Sequence, residues 1–131
     1  MPDTSTPVVT GVDFIGVNVT DLERARSFYR DVLGLHESVV RAPYNVEYDL
    51  GGTTLTIMDG SAMGADLAAP PNKTHLSLHV DDFEVACTTV AERGVTFTRD
   101  HVDTGVCHMA FLEDPDGNAL MLHHRYAPKE N

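Results

Sequence analysis

The sequence contains no tryptophan, only two cysteines and few basic residues. Cys87 and Cys107 are too few and too far apart for a zinc knuckle or a redox pair, so we expect both to be reduced packing residues. Nine Lys and Arg residues stand against 20 Asp and Glu residues, which gives a net charge of -11. Phosphate binding needs clustered basic residues, so no nucleic-acid partner is expected. The acidic charge suits a cationic ligand and serves equally well for solubility.

Long apolar runs are also absent. No stretch reaches the roughly 18 apolar residues that a membrane-spanning helix needs, so no membrane association is predicted. Residues 1–7 lack the basic and then apolar regions of a signal peptide, so we expect a soluble, cytoplasmic protein. A chain of 131 residues with 42% apolar content can bury one core, which predicts a single domain spanning residues 1–131.

The chain contains an internal repeat. The pattern of residues 17–25 recurs in residues 78–86, and the pattern of residues 51–57 recurs in residues 116–122. A repeat of this length, present twice, indicates two similar modules of about half the chain each rather than a solenoid. We place module one at about residues 8–59, a Gly, Ala and Pro-rich linker at 60–73, and module two at about 74–126.

Each module has the pattern of one strand, one helix and three strands. A helix follows the first strand of each, capped by Thr20 or Asp21 in module one and by Asp81 or Asp82 in module two. Gly34 and Gly94 end these helices by accepting a left-handed conformation. The predicted strands are 12–19, 37–40, 46–50 and 54–58 in module one, and 74–80, 95–99, 107–112 and 119–123 in module two. The sequence therefore predicts an α+β fold of two βαβββ modules.

Three motifs resemble the vicinal oxygen chelate superfamily: the helix start at 21–23, the helix ending at 28–35, and the turn at 113–118. This superfamily contains glyoxalase I, the bleomycin resistance proteins, fosfomycin-modifying thiol transferases and extradiol dioxygenases. The resemblance covers about residues 11–125. It implies paired curved mixed sheets with the helices outside, the glyoxalase/bleomycin resistance fold, and it specifies the activity less well than the fold.

The resemblance also locates the positions that hold a metal ion in metal-dependent members. One side chain comes from the first and one from the last strand of each module, which places them here at Phe14, Thr56, His75 and Met121. Only His75 is a good ligand for a divalent ion, so no metal and no cofactor are expected. A shifted pair of His79 and His123 remains an alternative, and it would need a third donor such as Glu113.

Other histidines carry weaker signals. His108 adjoins Cys107, and neighbouring strand residues point to opposite faces, so a thiolate–imidazole pair is not predicted. By the same alternation, His124 should lie on the face opposite to His123.

The inward faces of the strands combine apolar surface with a few polar groups, which suits a drug-sized organic ligand. The alternative is that Phe14, Met58 and Met121 simply fill the core of the sheet. The predicted ligand-binding residues are Phe14, Asn18, Thr56, Met58, His75, Ser77, Met121 and His123, with Gly16, Thr54 and His79 on the same surface.

The resemblance to the bleomycin resistance class suggests metal-independent sequestration of a hydrophobic or aromatic small molecule, such as an antibiotic. The alternative is a small enzyme: a glyoxalase-like lyase or isomerase, a dioxygenase-like protein or a biosynthetic catalyst. It would use His75, His79 or His123 as general acid or base, or a non-standard metal site. The resemblance also suggests a homodimer, with the modules paired either within one chain or between chains.

Overall fold

A computed structural model of the protein describes residues 8–129 and, within that range, all side chains except that of residue 65. Eight strands in this part of the chain form two four-stranded sheets. In each sheet the first strand of the module runs parallel to the last, and the other neighbours are antiparallel. The α+β architecture of two βαβββ modules is thereby confirmed.

The first sheet has the order β1-β4-β3-β2, and the second has the order β5-β8-β7-β6. The strands of the first sheet are β1 Phe14–Val19, β2 His36–Arg41, β3 Asn45–Asp49 and β4 Thr54–Asp59. Those of the second are β5 Leu76–His79, β6 Arg99–Asp103, β7 Cys107–Glu113 and β8 Ala119–Arg125.

The first helix, α1, spans Leu22–Arg26 and continues as a π-helical segment, Ser27–Val32. Asp21 caps it by accepting a hydrogen bond from the Arg24 amide at 3.1 Å. Gly34, with a φ of 74°, then turns the chain toward β2. In module two, Asp82 caps the helix Phe83–Glu92 in the same way.

One face of the first sheet packs against α1 and its π-helical continuation. Strand alternation places Val17, Val46, Tyr48, Leu55 and Ile57 on this face, where all are buried. Leu112, Leu120 and Leu122 make the equivalent contribution from the second sheet to the same core. The opposite face of the first sheet points away from α1.

The β7–β8 turn of module two packs against module one and holds the two modules together through hydrogen bonds and an ion pair. The Asp114 carboxylate, only 4% exposed, accepts hydrogen bonds from the Tyr29 hydroxyl and the Asn118 side-chain amide, both at 2.8 Å. Asp116 forms an ion pair with Arg24 at 3.1 Å, and the Asn118 amide donates to the Asn18 carbonyl. The motif at 113–118 thus holds α1 and β1 of module one against module two.

Two details differ from the sequence prediction. The predicted strand 95–99 is wrong, because the observed strand β6 begins only at Arg99 and ends at Asp103. The side chains of Val95 and Phe97 alternate because they pack at the core edge, without pairing along β7. The linker 60–73 also contains two short helical turns: α2, Gly60–Met63, and a 3-10 turn, Ala65–Leu67. We label the helix Phe83–Glu92 α3. No helix within residues 8–129 is long and apolar enough to cross a membrane.

Candidate functional site

The face of the first sheet that points away from α1 carries a cavity of about 210 Å³. Strand register determines which residues share this face: Gly16, Thr56 and Glu47 are neighbours across β1, β4 and β3, and Asn18, Met58 and Asn45 form the next row. These residues alternate with the buried core residues and therefore point away from α1. The cavity is lined by Phe14, Arg41, Asn45, Glu47, Thr56, Met58 and Met63. Gly16 and Asn18 share the face but do not line the cavity. We call it the module-one cavity.

Phe14, Met58 and Met63 form the apolar part of the module-one cavity. The Phe14 side chain is 56% exposed, so it does not fill the core of the sheet. Gly16 makes room for Met58, because a Cβ at this glycine would lie 2.6 Å from the Met58 Cε. An aromatic ring and flexible thioether side chains offer an adaptable apolar surface to a ligand.

Thr56, Asn45, Glu47 and Arg41 supply the polar groups. The Thr56 side chain is buried, with the residue 4% exposed, and its Oγ1 has no hydrogen-bond partner among the residues described. Glu47 and Arg41 form an ion pair at 2.6 Å toward the more exposed side. Since buried hydroxyl groups are normally hydrogen-bonded, the Thr56 hydroxyl has an unused donor and an unused acceptor, buried directly behind the surface of the cavity.

His75 occupies a different place. It lines a separate cavity of about 180 Å³ between β1 and β5, together with Gly16 and Asn118. Its ring packs against the edge of Phe111, with centroids 4.8 Å apart. His75 therefore does not line the module-one cavity.

The remaining predicted residues of module two lie along β5 and β8. Ser77 is the register partner of Met121, and His79 is the register partner of His123. His79 Nε2 lies 2.9 Å from the Asp81 carboxylate, a partner that the sequence analysis did not identify, although both side chains are exposed. None of these residues lines the module-one cavity, whose walls come from module one and α2.

The residues at the positions that the resemblance assigns to metal ligands do not fit a divalent ion. Phe14 has no donor atom, and the Thr56 hydroxyl and the Met121 thioether are poor replacements for imidazole and carboxylate ligands. Residues 8–129 contain no group of three or more His, Cys, Asp or Glu side chains placed to hold a metal ion.

Sequence reasoning missed four residues of the module-one cavity. Asn45 and Glu47 could have been found, because they alternate with the buried Val46 and Tyr48 on a strand that pairs with β4. Arg41 could then have been added to the cavity, because it pairs with Asn45 at the end of β2. No sequence pattern indicated Met63, because it lies in the Gly, Ala and Pro-rich segment 60–73, for which no helix or strand is predicted.

The sequence is similar to a known protein family and to characterised proteins. The sequence model of the Glyoxalase/Bleomycin resistance protein/Dioxygenase superfamily matches residues 11–122. The lactoylglutathione lyase of Haemophilus influenzae is 32% identical over 114 residues, which cover 77% of this chain and 82% of the relative.

Two solved structures share the fold. A lactoylglutathione lyase from Agrobacterium tumefaciens superposes with a TM-score of 0.75 and 20% identity, over 88% of this chain and 93% of the other. TnmS3, an antibiotic binding protein from Streptomyces sp. CB03234, superposes with a TM-score of 0.74 and 24% identity, over 92% and 99%. At these identities, the likeness concerns the fold alone.

Proposed function

Because the chain belongs to the Glyoxalase/Bleomycin resistance protein/Dioxygenase superfamily, we propose that it binds a hydrophobic or aromatic small molecule in the module-one cavity, without a metal ion. One protein of the same fold is an antibiotic binding protein, so the fold is compatible with an antibiotic as the ligand. Binding of this kind needs apolar surface and a few polar anchors, and no catalytic group.

The observation that carries the proposal is the unpartnered hydroxyl of Thr56. A buried hydroxyl without a hydrogen bond costs free energy, and a polar group of a bound molecule would remove that cost once binding displaces the side chains that cover the Thr56 hydroxyl. The hydroxyl lies in the same cavity as the exposed ring of Phe14. A ligand with an aromatic or aliphatic body and one carbonyl, hydroxyl or amine group matches both features.

The negative net charge of the chain favours a basic ligand. Glu47 contributes a carboxylate to the cavity, balanced by Arg41, and the chain as a whole carries a charge of -11. A negative protein field raises the encounter rate with cations. We therefore propose a ligand that is neutral or positively charged.

The experiment is a thermal-shift screen of aromatic and aliphatic compounds, antibiotics included, in the presence of a chelator. A ligand that binds only the native state raises the melting temperature. Phe14→Ala should reduce the shift, whereas Val85→Ala, which removes an exposed apolar side chain on α3, should leave it unchanged. Equal shifts for the native protein and Phe14→Ala, across all stabilising compounds, would contradict binding in this cavity.

A second candidate function is a lyase reaction, favoured by the identity to the Haemophilus influenzae lactoylglutathione lyase. Its catalyst would be a histidine acting as general acid or base, with His75, His79 and His123 as candidates. The metal positions of this chain do not support a metal-dependent reaction, because only His75 among them is a good ligand.

Interconversion of lactoylglutathione with its thiol and aldehyde cleavage products, assayed in the direction of thioester formation as well as cleavage, distinguishes the two functions. A lyase would show activity with this thioester that His75→Ala, or the equivalent change at His79 or His123, abolishes while the protein remains folded. A binding protein would show no activity above the uncatalysed rate. His36→Ala, in β2 and outside both the module-one cavity and the cavity between β1 and β5, is the matched control.

We further propose a homodimer, in which a second copy of the chain covers the module-one cavity. In one chain the cavity is lined by module one and α2 alone. Two large apolar side chains that line it, Phe14 and Met63, are 56% and 44% exposed, and a closed twofold contact would bury them. Sedimentation velocity should give the mass of two chains, and the mass of one chain at all concentrations would refute the dimer.

A further inference from the structure

A second cavity, of about 300 Å³, lies at the N-terminal end of α3. His108 and His124 reach it from β7 and β8, where they are register partners. Both alternate with Met109 and His123, so this cavity is on the helix side of the second sheet. It is separate from the module-one cavity, with which it shares no residue. We call it the α3 cavity.

Four rings in mutual contact form one wall of the α3 cavity. The Phe83 centroid lies 5.3 Å from that of His101 and 5.4 Å from that of His108. His108 in turn lies 4.7 Å from Tyr126. Phe83 is 8% exposed and anchors the group in the protein, and His101 Nε2 lies 3.0 Å from His108 Nδ1. A hydrogen bond between these nitrogens fixes the two imidazoles relative to each other.

Asp103 holds the ring of Tyr126 in place. The Tyr126 hydroxyl donates to Asp103 Oδ1 at 2.8 Å, and the Gly105 amide donates to the same oxygen at 2.8 Å. These two hydrogen bonds lower the pKa of Asp103, so its carboxylate is ionised at neutral pH. Asp103 is therefore a positioning residue, which keeps the aromatic ring beside His108.

Three carboxylates also line the α3 cavity. Asp81, Asp82 and Glu84 contribute to the α3 cavity, and its lining within the described part of the chain includes no Lys or Arg. Asp82 accepts a hydrogen bond from the Val85 amide and so compensates the exposed amides at the start of α3. Asp81 is paired with His79, whereas Glu84 makes no hydrogen bond or ion pair with residues 8–129.

We propose that the α3 cavity is a binding site for a small organic cation. The faces of aromatic rings attract ammonium groups that approach within about 6 Å, and nearby carboxylates add to this attraction. The rings of Phe83 and Tyr126 and the three carboxylates line the same cavity and so provide both interactions. This proposal does not rest on the function proposed for the module-one cavity, since the two cavities have no residue in common.

The test is a calorimetric or chemical-shift titration with choline and with 3,3-dimethyl-1-butanol, its neutral isostere. Choline should bind, and the isostere, which has the same shape without the charge, should bind at least several times more weakly. Tyr126→Ala should weaken choline binding about two- to fivefold, the size expected for one cation–π contact. Glu84→Gln should weaken it in the same direction.

Tyr44→Ala is the matched control, because Tyr44 is 48% exposed, close to the 46% of Tyr126, and lies outside both cavities. It should leave the affinity for choline unchanged. Three results would overturn the proposal: no binding of choline, equal binding of choline and the isostere, or equal effects of Tyr126→Ala and Tyr44→Ala.

Discussion

Among single residues, Phe14 and Thr56 determine what the module-one cavity can hold. Both stand at positions where metal-dependent relatives of the fold carry ligands, and neither offers the imidazole or carboxylate that a divalent ion requires. Phe14 instead presents an exposed ring, and Thr56 presents a buried hydroxyl without a partner. The same two positions thus suit an organic molecule.

Thr56→Val tests the state of this hydroxyl directly. Valine has the same shape, so the substitution removes an unsatisfied polar group without creating a cavity. We expect the free energy of unfolding, measured with urea, to stay equal or to rise by up to about 1 kcal/mol, while the affinity for a cavity ligand falls. A loss of stability larger than about 1 kcal/mol would show that Thr56 has a partner in the free protein.

Tyr29 carries the buried contact between the modules. Burial, and then the charge of Asp114, raise its pKa, so the hydroxyl stays protonated and donates to the carboxylate at all physiological pH values. Tyr29→Phe should lower the free energy of unfolding by about 1.5–3 kcal/mol, because a hydrogen bond to a buried charge is lost.

The matched control for Tyr29→Phe is Tyr126→Phe. It removes a hydrogen bond of equal length, to Asp103, at an exposed site. Its cost should stay below about 0.5 kcal/mol, since water replaces an exposed partner. Equal costs for the two variants in urea unfolding would contradict the role assigned to Tyr29.

Part of the module-one cavity could be predicted from the positions of single residues along their strands. Strand alternation was enough to place Phe14, Thr56 and Met58 on one face, and the structure brings these three into one cavity. The same rule placed His75 and Met121 on the corresponding face of module two, yet His75 lines another cavity. Local alternation gives the face of a side chain, whereas the relative position of two sheets depends on contacts distant in sequence.

Among the elements, α1 is tied to the first sheet by Glu37 on β2. Arg26 donates to both Glu37 oxygens, at 2.8 and 2.9 Å, and the Tyr48 hydroxyl donates to one of them. The hydrogen bond from Arg26, and then that from Tyr48, lower the pKa of Glu37, whose side chain is 12% exposed. The ionised carboxylate therefore fastens the helix to the sheet.

The pH dependence follows from the direction of this shift. A carboxylate with a lowered pKa stabilises the folded state above its ordinary pKa of about 4.5, and this contribution is lost as the pH falls through the folded value. Glu37→Gln should lower the free energy of unfolding at pH 7 by about 1.5 kcal/mol. The difference from the native protein should shrink as the pH falls below 4.5. A difference that is independent of pH in urea unfolding would refute this account.

The short helix α2 depends on a glycine. A Cβ at Gly60 would overlap the Leu67 carbonyl, so the turn of residues 60–67 closes only with glycine at this position. Gly60→Ala should cost about 1–3 kcal/mol of stability and should reduce ligand affinity, since Met63 of the same turn lines the cavity. Gly52→Ala, where a Cβ meets nothing within 4 Å, is the control. Equal thermal stability of both variants would contradict the close contact.

The prediction of helices and strands was correct where a sequence pattern has a local cause. It was wrong where the pattern comes from packing at the edge of the core. The sequence narrowed each cap to two neighbouring residues, because a side-chain oxygen before an apolar helical stripe has a local reason, and the structure selects Asp21 and Asp82. The segment 95–99 alternates like a strand, but Val95 and Phe97 do so to reach the core edge. The strand pairing of β6 with β7 is decided by residues 99–103, which show no such alternation.

At the scale of the whole molecule, the chain contains two copies of one module, and the two copies carry different cavities. Module one presents the exposed Phe14 and the buried hydroxyl of Thr56, and module two presents the rings and carboxylates of the α3 cavity on its helix side. The internal repeat in the sequence was sufficient to predict the two modules. It could not predict the cavities, because these lie at the residues where the two copies differ.

Ligand titration with and without a chelator tests the central claim, metal-independent binding in the module-one cavity. A compound found by the thermal-shift screen is titrated into chelator-treated protein, into protein supplied with zinc, nickel, iron or manganese, and into Phe14→Ala. We expect equal affinity with and without metal, and a clear loss of affinity in Phe14→Ala. Binding that disappears with the chelator and returns with one of the metals would contradict the account.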